Sequence, residues 1–460
     1  MAEVIDLIVI VLYLLATLYI GIKSSRRENL EGYLANNRKT KLWFLTFSNV
    51  STLVGAGAVI AVASSAYTTG ISYGLVVAVS LTVAAILFAL LSKKIKSFGD
   101  QNKAYTVGDF FEYRFGELNR YVFAVLFVIL AFLWGAIQFV AIAQLLKSLT
   151  GTGFLAALIL SAVVTIIYTS IAGLISDIMT DFLQFWVMLA TFVVLLPLAW
   201  VKAGGFTALK SLPSVYFDPF AFGGVSFLIG GIILSGLVLV PSVHYWQRIY
   251  SAESVQTSRK SFLFSIPGVL FFVCASVLAG LFAAIILPGV NPDSSLFDLM
   301  KNVLPTGLLG LGFAGIIAVV MSSIDSLLLG GSATLLKDLY MPFFHPKMHE
   351  RELLNMARYI TAIFGMICAM VAFIFQDIIQ LSILTAFTAL CFVPSTIGGL
   401  FWKRTTMKGS IASLLSALVV LYALIGVMPK TAFLPSFVVG TLVLIIISLL
   451  TKHSESENFI

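Results

Sequence analysis

The sequence predicts an all-α protein that crosses a lipid bilayer about thirteen times. Three observations carry this. Of 460 residues, 60% are hydrophobic and only 11% are charged, well outside the range of soluble globular chains. Apolar runs of bilayer-spanning length recur throughout, separated by short polar connections. The basic residues fall in alternate connections, as the spans of a membrane protein require.

Applying a length rule of about 20 apolar residues per crossing places spans at roughly 4–23, 42–65, 72–94, 119–147, 154–172, 175–201, 224–247, 261–288, 307–340, 352–376, 378–400, 408–428 and 433–451. The first run lacks the basic leader and short apolar core of a cleaved signal, so it reads as a true span. With the N-terminus outside, 23 Lys and Arg residues fall in cytoplasmic connections and 5 outside. This bias puts the C-terminus in the cytoplasm of a multi-pass cell-membrane protein. It also accounts for the net charge of +7 without a nucleic-acid partner: the basic runs Lys23 to Lys41 and Lys93 to Lys103 belong at lipid headgroups. Cys274, Cys368 and Cys391 each lie within a span and read as small core residues, implying neither a disulfide nor a metal site.

In chain order, the second span carries Ser51, Thr52, Gly55 and Gly57 in a stretch that would otherwise continue as helix. Hydroxyls next to glycines suit an unwound segment, since bare backbone at membrane depth is tolerated only where it lines a site. The third span is uncharged until Lys93, and residues 106–115 read as an amphipathic helix on the cytoplasmic surface. Trp134 and Gln138, one turn apart in the fourth span, offer a stacking face and an amide to a bound solute. After the turn at Ile171 to Gly173, Asp177 is expected at the cytoplasmic edge in contact with water. Asp181 lies one turn deeper, beside Thr180 and Gln184, with no basic neighbour in sequence.

The seventh span contains Gly230, Gly231, Ser235, Gly236 and Pro241, and its end, HYWQRIYSAESVQTSRKS, is assigned to the cytoplasmic side. Two interrupted spans at corresponding places point to an inverted-repeat transporter with its site at the midplane. The repeats are then two units of five helices, at about 42–201 and 224–400, with 4–23, 408–428 and 433–451 peripheral. An external loop from Gly289 to Gly307 holds a short helix, and His345 and His349 sit solvated in a cytoplasmic loop.

The ninth span is the costliest to build. Ser322, Asp325 and Ser326 stand at helical spacing on one face, with Ser323 a quarter-turn aside. An ionisable group at this depth marks a functional site, and paired hydroxyls with an acid suit a small hard cation such as Na⁺.

Four segments in order resemble the sodium:solute symporter family, whose members have the LeuT-type fold. They are YTSIAGLISDIMTDFLQ, HYWQRIYSA, MSSIDS followed by SATLLKDLY, and PSTIGGLFWKRTTMKGSIAS, within a similarity running from about residue 40 to 410. The resemblance implies a 5+5 inverted repeat with the second and seventh helices broken. It implies a Na⁺ site made by the carbonyls of Ser51, Val54 and Val319 and the hydroxyls of Ser322 and Ser323. A second cation or proton site would involve Asp181, Ser322, Asp325 and Ser326. Gly55, Gly57, Ala58, Trp134, Gln138 and Ser235 would meet the substrate.

Sugar-transporting members use a Gln and a Glu where this chain has Ala58 and Val77. An amino acid, a monocarboxylate or a pantothenate-like acid is therefore favoured over a sugar. With no Lys or Arg assigned to mid-membrane, a substrate carboxylate would rest on free backbone N–H groups and the cation. The expected function is Na⁺-coupled symport by alternating access, with Na⁺ as coupling ion, no cofactor and no requirement for an oligomer. The alternatives are a proton-driven transporter of the same fold and a membrane sensor derived from one. An enzyme is not expected, because no nucleophile, base and acid come together within the spans.

Overall fold

The computed structural model describes residues 4–25, 29–171, 173–234, 236–344 and 349–452. It begins with α1 (Val4–Ser25) and a short α2 (Leu30–Ala35). The second span is split into α3 (Leu42–Leu53) and α4 (Ala56–Thr69), bent by 43°. There follow α5 (Ser72–Asn102), the surface helix α6 (Val107–Phe115), α7 (Glu117–Thr150), α8 (Phe154–Ile171), α9 (Leu174–Ala203) and α10 (Gly205–Lys210). The expected amphipathic helix is α6, closed by a capping box between Thr106 and Asp109.

The seventh span is also broken, into α11 (Gly224–Leu234), a 3₁₀ turn at Leu237–Leu239 and α12 (Val243–Ser251). Beyond it run α13 (Val255–Ile286), α14 (Ser295–Val303), α15 (Leu308–Thr334), α16 (Met341–Phe344), α17 (Glu350–Ile374), α18 (Ile378–Leu390), α19 (Val393–Phe401), α20 (Met407–Leu424) and α21 (Phe433–Leu450). Among the described residues eleven helices are long and apolar enough to span a membrane, and the bent α3–α4 pair makes twelve. The count of thirteen is not reached, because the pieces of the seventh span, 11 and 9 residues long, are each too short to cross alone.

Both breaks have local causes. Gly55 sits in extended backbone between α3 and α4, and a Cβ there would come within 2.4 Å of the Ser323 Oγ. Only glycine admits that approach. The Ala56 N–H freed by the break is satisfied by the Gln138 Oε1 at 3.1 Å. Gly236 has φ +77°, and a Cβ there would lie 2.5 Å from the backbone N of Ala84. Pro241 then removes a further donor before α12 begins.

The centre of the molecule is α15, buried along nearly its whole length and packed by α1, α3, α7, α9 and α17. In lipid such burial brings no gain in itself, so polar residues on α15 need partners on those neighbours.

Candidate functional site

The two breaks face one cavity of about 180 Å³. Its walls include Gly55, Gly57 and Ala58 from the first break, Trp134 and Gln138 from α7, and Leu239, His244 and Tyr245 from the second break. Five of the six expected substrate residues thus share one space, while Ser235 lies outside the described residues. No Asp, Glu, Lys or Arg lines it among the described residues. The N–H groups of Gly55 and Gly57 have no hydrogen-bond partner among the described residues and sit at the N-terminus of α4, the positive end of its dipole. Ser382 of α18 also reaches the cavity, and its hydroxyl is buried without a partner. Trp134 and the His244 ring meet edge to face at 6.1 Å.

Beside the cavity, α15 presents its hydroxyls to the end of α3. Ser322 Oγ lies 2.9 Å from the Ser51 carbonyl and 3.0 Å from that of Val319. Ser323 Oγ lies 3.4 Å from the carbonyl of Thr52, where Val54 was expected. The reason is the turn itself: Val54, already outside helical geometry, directs its carbonyl to no protein partner among the described residues. Ser51, Thr52, Val54, Val319, Ser322 and Ser323 together form an uncharged, all-oxygen donor set. That chemistry fits Na⁺, which prefers several hard oxygen ligands.

The acidic part of the site differs from expectation in two ways. Asp177, expected in solvent, is fully buried. Arg248, expected at the cytoplasmic surface, is also fully buried and lies at the heart of the polar cluster. Its Nη2 stands 2.8 Å from Asp181 Oδ2, 3.0 Å from Asp177 Oδ2, 2.7 Å from Ser326 Oγ and 2.5 Å from Thr52 Oγ1. Its Nε donates to Ser48 Oγ at 3.0 Å, and Ser48 in turn donates to Asp181 Oδ2 at 2.5 Å. The break before α12 is what carries this arginine inward: α12 starts beneath the cavity and is buried over its full length.

Of the residues expected at the second cation site, three have protein partners in this structure and the fourth, Asp325, is held by another helix. Asp181 Oδ2 and Ser326 are bonded to Arg248, and Ser322 is bonded to the Ser51 carbonyl. Asp325 instead accepts a hydrogen bond from Thr169 of α8 through Oδ1. Sequence reasoning missed Arg248, Asp177, Ser48 and Thr52 as partners. The signal available was charge complementarity: an arginine within the apolar, aromatic run HYWQRIY, and two aspartates with no basic neighbour in sequence.

Broken helices around a central cavity, with hydroxyl and carbonyl oxygens beside it, define a secondary transporter of the LeuT type. Over 99% of both chains the fold matches that of a Na⁺-coupled sialic acid symporter in its substrate-bound outward-open state, with a TM-score of 0.86 at 17% identity. Among curated relatives, the sodium/proline symporter of Haemophilus influenzae is 25% identical over 98% of this chain and 96% of its own length. The sodium/pantothenate symporter of the same organism is 25% identical over 88% and 86%. The model of the sodium:solute symporter family matches residues 33–417, and the chain belongs to that family. Its activity is Na⁺-coupled symport of a small solute, not enzyme catalysis.

Proposed function

We propose that the chain takes up a compact carboxylate-bearing solute with Na⁺ by alternating access. An amino acid, a monocarboxylate or a pantothenate-like acid is favoured over a sugar. The observation that carries this reading is the pair of free N–H groups at Gly55 and Gly57, opening into a cavity without charged side chains. Amides at a helix N-terminus attract a carboxylate, and nothing acidic stands against it. Ala58 and Val77, which line the same cavity, present hydrocarbon where a sugar would need hydrogen-bonding groups.

The Na⁺ site is read as Ser51, Val54, Val319, Ser322 and Ser323, joined by the carbonyl of Thr52. Bound there, the ion supplies positive charge next to the cavity through the shared residues Thr52 and Ser323. Its presence would strengthen binding of an anionic group, and the solute would strengthen binding of Na⁺ by the same factor.

The charge bias supports an outside N-terminus and a cytoplasmic C-terminus in the cell membrane. A wide vestibule of about 1020 Å³, lined by Ser64, Asn291, Asp293, Asp377 and Lys430, would then face outward. Repeat units at 42–201 and 224–400 are consistent with one break in each.

The test is a thermal-shift screen of the purified protein against amino acids, monocarboxylates, nucleobases and sugars, with and without Na⁺. A carboxylate should raise the melting temperature by mass action, and more so in Na⁺. Stabilisation by a neutral sugar alone would overturn the substrate assignment.

A further inference from the structure

Beside the central cavity lies a second, smaller space of about 120 Å³. Six residues line both: Tyr73, Val77 and Ser80 of α5, Val238 at the second break, and Ser382 and Ala386 of α18. At most one layer of side chains therefore separates the two. Phe227 of α11, Phe387 of α18 and Phe433 of α21 line only the smaller space and form its far wall, the last two rings standing 4.7 Å apart. No charged side chain lines it among the described residues. The Ser80 hydroxyl accepts from the N–H of Gly236 at 3.2 Å, whereas Ser382 Oγ is buried without a partner. A Cβ at Gly57 would stand 3.5 Å from Ser382 Oγ, so this hydroxyl lies beside the amides offered to a carboxylate as well as on the wall of the apolar space. A void among hydrocarbon side chains forfeits their dispersion contacts, and a buried polar atom is almost always paired. Both deficits end when one solute supplies a tail to the void and a polar group to the serine.

We propose that this side pocket receives the hydrocarbon tail of the solute and thereby selects acids with a branched aliphatic side chain. The carboxylate rests on the N–H groups of Gly55 and Gly57, the group on its 2-carbon bonds Ser382 Oγ, and the tail enters between Phe227, Phe387 and Phe433. An apolar cavity of about 150 Å³ stays dry and admits benzene, so the 120 Å³ here takes a group of about four or five carbons. A hydroxyl both donates and accepts, so Ser382 serves a 2-amino or a 2-hydroxy group equally. A polar side chain of the same shape is refused, because the far wall of Phe227, Phe387 and Phe433 meets none of its hydrogen bonds.

The inference rests on the carboxylate reading above, and one experiment separates the two. Isothermal binding titrations on the full chain in lipid nanodiscs, in Na⁺, compare unsubstituted, 2-hydroxy and 2-amino acids whose chains lengthen by one carbon at a time. In each series that binds, affinity should rise about fourfold per added carbon, the worth of a buried methylene, until the pocket is full. Among amino acids, asparagine, nearly isosteric with leucine, should bind no better than alanine. Ile383 lines the side pocket and not the central cavity, so Ile383→Phe should abolish the rise and leave the affinity for the shortest acid unchanged. Phe387→Ala should move the optimum to a benzyl side chain. Ser382→Ala should weaken 2-substituted acids by about tenfold or less and keep the dependence on chain length. The series on the wild type decides the matter even if a variant folds poorly. Binding of acids without dependence on chain length, or equal binding of leucine and asparagine, would overturn the tail pocket and leave the carboxylate reading standing. Failure of every acid to bind would remove that reading itself.

Discussion

Nη2 of Arg248 lies 2.8 Å from Oδ2 of Asp181, and both side chains are wholly withdrawn from solvent. The pair joins α12, which follows the second break, to α9, and Ser48 extends it to α3 at the first break. The guanidinium thereby ties the two broken spans together beneath the cavity.

Arg248→Gln should lower stability by on the order of 3–5 kcal/mol, because it leaves two carboxylates buried without their counter-charge. Thermal unfolding in detergent measures this. Asp177→Asn in the same chain should restore part of the loss, and an unchanged melting temperature for Arg248→Gln alone would contradict a structural pairing.

Ser322→Ala/Ser323→Ala should abolish Na⁺ stimulation of uptake while the protein stays folded. Each change deletes one oxygen at a buried site and costs roughly 1 kcal/mol of net hydrogen bonding. Uptake in proteoliposomes under a Na⁺ gradient, set against the melting temperature, separates the two effects. Retained Na⁺ dependence would remove these serines from the site.

Gly55→Ala and Gly57→Ala should differ sharply. A Cβ at Gly55 would stand 2.4 Å from Ser323 Oγ, a distance no real contact shows. At Gly57 the nearest atom is Ser382 Oγ, at an ordinary 3.5 Å. Gly55→Ala should therefore lose both Na⁺ and solute binding. Gly57→Ala should keep Na⁺ affinity and change only solute affinity, by about tenfold or less, in an isothermal binding titration.

At the vestibule, partial burial raises the carboxyl of Asp293 above the ordinary aspartate value of 3.8, opposed by the Ser64 hydroxyl bonded to it and assisted by the charge of Asp377. An acid raised on folding binds its proton more tightly in the native state, so its contribution favours folding at low pH. That contribution fades as pH rises from the unfolded value through the folded one. Asp293→Asn, which still accepts from Ser64, should be more stable than the wild type at pH 7 and lose that advantage at pH 4. Melting curves across this range check the sign.

Much of the architecture was legible in the chain itself. Apolar run length announced the spans, because a bilayer demands about 20 residues of helix per crossing. Glycines beside hydroxyls announced the breaks at Gly55 and Gly236, because few other sequences leave backbone open at membrane depth. The oxygen stripe of Ser322, Ser323, Asp325 and Ser326 followed from helical spacing alone.

What the sequence could not show is which groups meet across helices. Arg248 is 67 residues from Asp181 along the chain, and on a hydropathy pattern it belongs with the surface charges that follow it. Only the path of the seventh span, stopped at Gly236 and restarted at Val243, carries the arginine inward to two aspartates. The same holds for Thr169 and Asp325, ordinary positions on their own helices until α8 is packed against α15. Spacing along one helix is local geometry and can be read from a string. The neutralisation of a buried charge depends on distances between helices, and those exist only in the folded molecule.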